Sequence, residues 1–206
     1  VVVLRSRNLM HQALDALDLW NTYYVKDGMR WIGEYPAHTF TVEPVEITEK
    51  ARKRGSYKVT VKVLGNGYKI KVKQGKLHRS TTKVADLKEP IETCVGTLRI
   101  TQNRPIQEDR TEYRTVCTPK PAVVGQYRAA VNIALEKKES NIINLTTTSD
   151  IPGRDVALLN KLIEQYNLNT IVDKNIIATN TAAFIEERLS IISRELSDAE
   201  DAVAAY

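Results

Sequence analysis

The chain has 206 residues, 42% of them hydrophobic, with 30 Lys and Arg against 25 Asp and Glu and two cysteines. That composition is ordinary for a chain that buries a core, as one large domain or one domain with an extension. It excludes a disulfide framework, and no run of about 18 apolar residues is present to span a membrane.

Charge is unevenly placed. Residues 151–206 carry five basic and nine acidic side chains, and residues 1–150 carry 25 and 16, which puts a boundary near Asp150. The chain opens Val1-Val2-Val3-Leu4-Arg5 with neither an initiator methionine nor a signal peptide. It closes on an apolar position, so both ends are expected to be cuts in a longer protein.

Leu4–Leu19 reads as an amphipathic helix capped by Ser6 or Asn8, with a stripe of Leu9, Met10, Ala13, Leu14 and Leu17. Asn21–His38 holds a tryptophan, three tyrosines, two glycines and a proline, and is expected to be a folded loop. Phe40, Val42, Val45 and Ile47 suggest a short strand, and Pro44 inside it implies an edge or a bulge. The firmest β signal follows. Tyr57, Val59, Val61 and Val63 alternate with polar residues, Gly65-Asn66-Gly67 turns the chain, and Tyr68, Ile70 and Val72 alternate with lysines. The spacing predicts a hairpin with one packed face and one solvated face, its lysines discouraging edge pairing. Leu98 and Ile100 end another strand, and Gln102–Arg114 is expected to be an exposed loop or hairpin tip. Ala122–Ala130 reads as a short helix, and Val131–Leu135 and Ile142–Leu145 as two strands.

From Pro152, suited to the first turn of a helix, the chain contains Gly153 and then no further glycine or proline. Val156, Leu159, Leu162, Ile163 and Tyr166 are expected to dock on the sheet, with a weak point at Asn167–Thr170. Ile185, Leu189, Ile192, Leu196, Ala199, Val203 and Tyr206 then repeat at 4-3 spacing, a heptad seam flanked by charge. A 53-residue helix would be about 80 Å long, against roughly 40 Å for a 150-residue body, so the seam is expected to project. The fold class expected is α+β: a mixed-sheet body over 1–150 with packed helices and a basic β-hairpin elaboration at about 40–118. Residues 151–206 form the long C-terminal helix, half of a truncated coiled-coil hairpin.

Residues that could carry chemistry are scarce. His11, His38 and His78 lie in three different elements at no metal spacing, and Cys94 and Cys117 are too far apart in sequence for a metal pair. The two cysteines are expected to be small buried residues, with a single bridge left open. No P-loop, nucleophile elbow or dinucleotide fingerprint is present, because Gly65-Asn66-Gly67 joins two strands instead of opening a helix. No catalytic, cofactor or metal site is expected.

The basic tract remains. Lys50–Lys88 holds 13 Lys and Arg against Asp86 alone. Lys58, Lys62, Lys69, Lys71 and Lys73 would line the hairpin's outer face, which reads first as a plain solvated surface and second as a place where an acidic polymer or lipid headgroups could make contact. Nucleic acid is disfavoured as a partner, since Tyr57 and Tyr68 point inward and stacking needs outward aromatics.

Three landmarks point to a family. Ser6-Arg7-Asn8-Leu9 opens the helix ending Leu17-Asp18-Leu19. Ser140-Asn141-Ile142-Ile143-Asn144-Leu145 precedes Asp150-Ile151-Pro152, then Leu158-Leu159-Asn160-Lys161-Leu162 and Tyr166. Phe184-Ile185-Glu186-Glu187-Arg188-Leu189 runs into Glu195-Leu196-Ser197-Asp198-Ala199-Glu200. In this order they resemble the periplasmic domain of the chain-length-determinant, or polysaccharide co-polymerase, family, in the branch that works with bacterial tyrosine autokinases of capsule and exopolysaccharide export. The likeness covers residues 1–20 and 131–206 and fades across 21–130.

The resemblance implies a non-catalytic periplasmic domain of an inner-membrane protein. It would form homo-oligomers, act with polysaccharide polymerase or export machinery, and be anchored by membrane helices outside these residues. A cytoplasmic tyrosine kinase domain in the same protein is left open. The alternatives are a periplasmic coiled-coil adaptor of an export complex and a basic nucleic-acid-binding module.

Overall fold

A computed structural model describes residues 3–106, 111–136 and 142–204, with side chains described through Arg194 and again at Leu196. The fold is α+β, as expected, with antiparallel sheets and a long C-terminal helix. One compact unit runs to Leu162 and a second begins at Ile163. The division falls inside the last helix, twelve residues beyond the boundary read from charge.

Helix α1 spans Arg7–Ala16 after a short 3-10 turn, Val3–Arg5. Ser6, not Asn8, is its cap, accepting from the Leu9 amide at 3.1 Å. Its end is a Schellman motif. Asp18 takes φ +49°, the Leu19 amide reaches the Leu14 carbonyl, and the Asp18 amide reaches that of Asp15.

The expected loop at 21–38 is instead a hairpin, β1 (Asn21–Asp27) and β2 (Arg30–Gly33), joined by Gly28-Met29. Its aromatic residues are strand residues: Tyr23 is buried and Tyr24 is on the opposite face. Strand β3 (Phe40–Ile47) is an edge strand with a register shift between Pro44 and Glu46, as the proline implied. A short helix that the sequence reading missed, α2 (Glu49–Arg54), follows. Thr48 caps it, and Gln74 closes its far end by donating to the carbonyls of Ala51 and Gly55 at 2.8 and 2.9 Å.

The predicted hairpin is present as β4 (Tyr57–Leu64) and β5 (Gly67–Gln74). It is not an edge. Beyond it come β6 (His78–Val84), β7 (Ile91–Thr93), β8 (Gly96–Gln102) and β9 (Glu112–Cys117). The main sheet runs β2-β1-β9-β4-β5-β6, and β3-β8-β7 form a second sheet. Strand β9 lies between β1 and β4, and its first residues are ones where an exposed loop or hairpin tip is expected from the sequence to continue to Arg114. Alternation explains it: Tyr113, Thr115 and Cys117 are buried, and Glu112, Arg114 and Val116 occupy the other face.

The core fills the space between these sheets. Val59, Val61, Ile70 and Val72 of the larger sheet cluster with Phe40, Val42, Leu98 and Ile100 of the smaller. Gly96 has φ +127°, and a Cβ there would run into the Glu46 carbonyl across the ladder. Both cysteines are free. Cys117 is buried, and desolvation pushes its thiol up to about 12, with Tyr57 as its hydrogen-bond partner.

Helix α3 (Lys120–Ala130) packs against α1, and β10 (Asn132–Leu135) pairs with β11 (Ile143–Thr146). Arg5 donates to the Ile133 carbonyl at 2.6 Å, and Arg128 to that of Arg5 at 2.9 Å, tying the 3-10 turn, α3 and β10 together. Helix α4 (Pro152–Ala204) starts where Pro152 predicts. Ile151 packs so closely on Gly33 that a Cβ at residue 33 would collide with it.

The buried face of α4 matches the one expected in part: Leu162 is buried and Leu159 and Tyr166 are half-buried. Asp155, Leu158 and Leu162 are buried, whereas Val156 and Ile163 are exposed. The stripe has helical spacing, but its first member is a carboxylate, which an apolar count passes over. Nor does α4 break at Asn167–Thr170. Each poor helix former there costs a few tenths of a kcal/mol, and the Thr170 hydroxyl bonds the Tyr166 carbonyl at 2.8 Å.

Candidate functional site

The sheet register places the five lysines singled out from sequence on one face. Lys58 stands opposite Lys73, which stands opposite Arg79; Lys62 stands opposite Lys69, which stands opposite Lys83. Lys71 lies between these rows, opposite Thr60. Strand β9 adds Arg114 beside Thr60 and Glu112 beside Lys62. Like charges directly opposite one another repel. Glu112 relieves one row, bonding Lys62 at 3.2 Å and Lys26 at 3.5 Å. Desolvation raises the pKa of Glu112, but the two lysines outweigh it and hold the carboxyl below its ordinary value. The row of Lys58, Lys73 and Arg79 contains no carboxylate among its register partners.

This face also carries aromatics, contrary to the argument from Tyr57 and Tyr68. Those two do turn toward the core. Trp31, however, pairs with Lys26, and Tyr24 pairs with Arg114, which puts both on the basic side. The Arg114 guanidinium lies 3.7 Å from the Trp31 ring centroid. Arg114, Trp31 and Tyr24 were missed because they sit in segments read as loops; only the pairing of β1 with β9 brings them together.

Two adjoining cavities open along this surface. One, of about 380 Å³, lies among Ser56, Lys58, Lys73, Gly75, Arg114 and Val116. The other, of about 360 Å³, shares Ser56 and Val116 and extends past Thr22, Tyr24 and Tyr127 to Arg154 and Asp155. Arg154 and Asp155 lie in the first turn of α4, where the helix dipole favours the carboxylate. Their charged atoms are 3.6 Å apart. Arg154 Nη1 also approaches Thr22 Oγ1 at 3.4 Å, and the Thr147 hydroxyl donates to Asp155 Oδ2 at 3.4 Å. Burial pushes the Tyr127 hydroxyl up, against the nearby Arg154 charge.

The histidines stay apart. His38 stacks on Tyr23 at 3.7 Å and shares a 2.9 Å hydrogen bond with the Thr41 hydroxyl; burial pulls its pKa down. His11 tilts against Trp20, and His78 is exposed on β6. Among the described residues, no three His, Cys, Asp or Glu side chains are grouped to hold a metal ion, and no helix is long and apolar enough to cross a membrane.

The heptad seam is laid out as its spacing predicts for the residues that can be seen. Ile185, Leu189, Ile192 and Leu196 are each 50–58% exposed. Ala199 and Val203 are in the helix but their side chains lie outside the described residues, as does Tyr206 altogether. Exposed apolar residues do not begin at Ile185, however. Leu168 and Ile171 are exposed too, and the same 3-4 spacing links them to Ile185 through Asn175, Ala178 and Ala182. The sequence reading stopped short because small and polar residues occupy the middle of the stripe. Asn175 falls at an a position, where a single polar residue fixes helix register.

Neither a family model nor a curated protein matches the chain.

Proposed function

We propose that this chain is the non-catalytic extracytoplasmic scaffold of a polysaccharide co-polymerase, regulating chain length in, or export of, a capsular or exopolysaccharide. The observation that carries the reading is the exposed stripe of α4 at heptad spacing, with Leu168 and Ile171 at one end, Ile185, Leu189, Ile192 and Leu196 at the other, and Asn175, Ala178 and Ala182 between. A stripe of that length is stable in water only when a second helix covers it. Burying the exposed part of each Leu or Ile contributes about 1 kcal/mol, so several heptads add up to a strong assembly element. The resemblance of residues 1–20 and 131–206 to the family supports the same reading, and supplies the periplasmic location, the homo-oligomer and the membrane anchor as parts of the proposal.

The test is to replace Leu189 and Leu196 by Asp in the protein as its cell makes it and to size the polysaccharide. A shifted chain-length distribution is expected. An unchanged distribution, with the protein present at normal abundance, overturns the scaffold reading.

A further inference from the structure

The basic face and the two cavities are parts of one groove. It begins between Lys58, Lys73 and Arg114, crosses Val116 and Ser56, and ends against Tyr24, Tyr127 and the Arg154–Asp155 ion pair, whose carboxylate Arg154 offsets at 3.6 Å. All of it lies within the unit that runs to Leu162. Its two ends differ in chemistry. One is cationic, with Lys58, Lys73 and Arg79 aligned across three strands and no carboxylate in that row. Keeping those charges side by side opposes folding, and a bound polyanion would relieve the repulsion. The other end presents hydroxyls and an amide, from Thr22, Thr118, Thr147, Ser149 and Gln126, around the rings of Tyr24 and Tyr127. Alternating donors and acceptors beside aromatic surface suit a ligand rich in hydroxyl groups.

We infer that this groove binds an anionic polysaccharide, with carboxylates of uronic-acid type on Lys58, Lys73 and Arg114 and a sugar ring in the hydroxyl-lined cavity. The inference deepens the scaffold reading by naming what the body grips. Nucleic acid shares the charge requirement but not the rest. Stacking of bases needs free ring faces, and of the groove's rings one face of Trp20 is held by Lys120 at 4.3 Å and one face of Tyr127 by Arg154 at 5.4 Å. A hydroxyl-lined cavity of about 360 Å³ beside the cationic row has no role in phosphate tracking.

Calorimetric titration of the 206-residue chain at low salt tests this, with three probes of equal length: oligogalacturonate, its carboxyl-reduced neutral counterpart, and oligo(dT). Oligogalacturonate is expected to bind, and the neutral chain to bind at least about tenfold more weakly, since each 1.4 kcal/mol is a factor of ten. The triple variant Lys58→Gln/Lys73→Gln/Arg114→Gln should lose about tenfold or more for oligogalacturonate. Gln126→Trp, at an exposed position lining the cavity, fills it without changing charge and should weaken oligogalacturonate but not oligo(dT). If the triple variant does not fold, Lys58→Gln alone should still weaken oligogalacturonate, and Lys71→Gln, on the same face but outside the groove, should do so less.

Three results would overturn the inference: no binding of oligogalacturonate, oligo(dT) bound as tightly, or affinity unmoved by Gln126→Trp. Such a failure leaves the Leu189 and Leu196 experiment untouched, and a failure of that experiment leaves these titrations readable.

Discussion

The unit ending at Leu162 and the helix beyond it use apolar residues in opposite ways. In the first, alternation along β4, β5 and β9 is satisfied within the chain: Val59, Val61, Ile70 and Tyr113 meet Phe40, Leu98 and Ile100. In the second, an equally regular pattern is left open, with every described residue from Ile171 to Ser190 exposed. Periodicity determines which secondary structure forms; whether the apolar face is then covered depends on a partner of matching period. The sheets find that partner in each other. A helix face of seven-residue period finds it in another helix.

The sharpest way to break this comparison is to truncate one leucine in each region. Leu98→Ala should cost about 3–5 kcal/mol, because Leu98 is fully buried and its cavity cannot collapse between two sheets. Leu189→Ala should stay within about 0.5 kcal/mol in dilute solution, since the side chain is exposed and Ala is a good helix former. Trp20 and Trp31 both lie before Leu162, so urea unfolding followed by tryptophan fluorescence reports on that unit alone. A large effect of Leu189→Ala on that signal would mean that the stability of the first unit depends on the helix beyond it, which this comparison denies.

Gly96→Ala should come next, at about 1–3 kcal/mol. The new Cβ meets the Glu46 carbonyl, and φ +127° is unfavourable for any residue with a side chain. Gly33→Ala tests how Ile151, the residue before α4, is seated on β2. Its Cβ meets Ile151, so it should destabilise by about 1–2 kcal/mol, and Ile151→Val should restore part of the loss by making room. Denaturation of the two single variants and the double variant measures that coupling. Zero coupling would detach Ile151 from the sheet.

What could be read from the sequence follows the same division. The β4–β5 hairpin, α1 with its Ser6 cap, the Pro44 irregularity and the long helix all rest on signals within about fifteen residues of each other. Strand β9 was hidden because its outward residues, Glu112 and Arg114, continue a polar stretch, and only pairing with distant β1 and β4 shows that it is central. The groove was half legible. Lysine alternation announced its cationic end, but Arg114, Tyr24 and Arg154 join it through the docking of segments far apart in the chain. Asp155 was illegible for another reason: a buried carboxylate at a helix N-terminus looks like a solvent position to any apolar count.

Smaller effects sharpen the local signals. Ser6→Ala should cost about 1 kcal/mol, through loss of the bond to the Leu9 amide at the start of α1. Asn8→Ala should cost less, because Asn8 is exposed and is not the cap. Urea midpoints of the two variants decide between the two caps the sequence left open.

The smallest effect is in pH. Burial against Tyr23 pulls the folded pKa of His38 below the 6.5 of an unperturbed imidazole, with Glu34 and Asp18 pulling weakly the other way. Between the two values the unfolded chain binds a proton that the folded chain does not, so stability rises with pH. The contribution of His38 is therefore complete above about pH 6.5, and it is lost as pH falls from there through the folded value. His38→Gln should flatten that part of the slope and leave the rest of the profile in place. No histidine lies beyond Leu162. Helix unfolding of the second unit, followed by circular dichroism, should therefore show no histidine step in this window, and a step found there would place the origin of the slope outside the Tyr23–His38 stack.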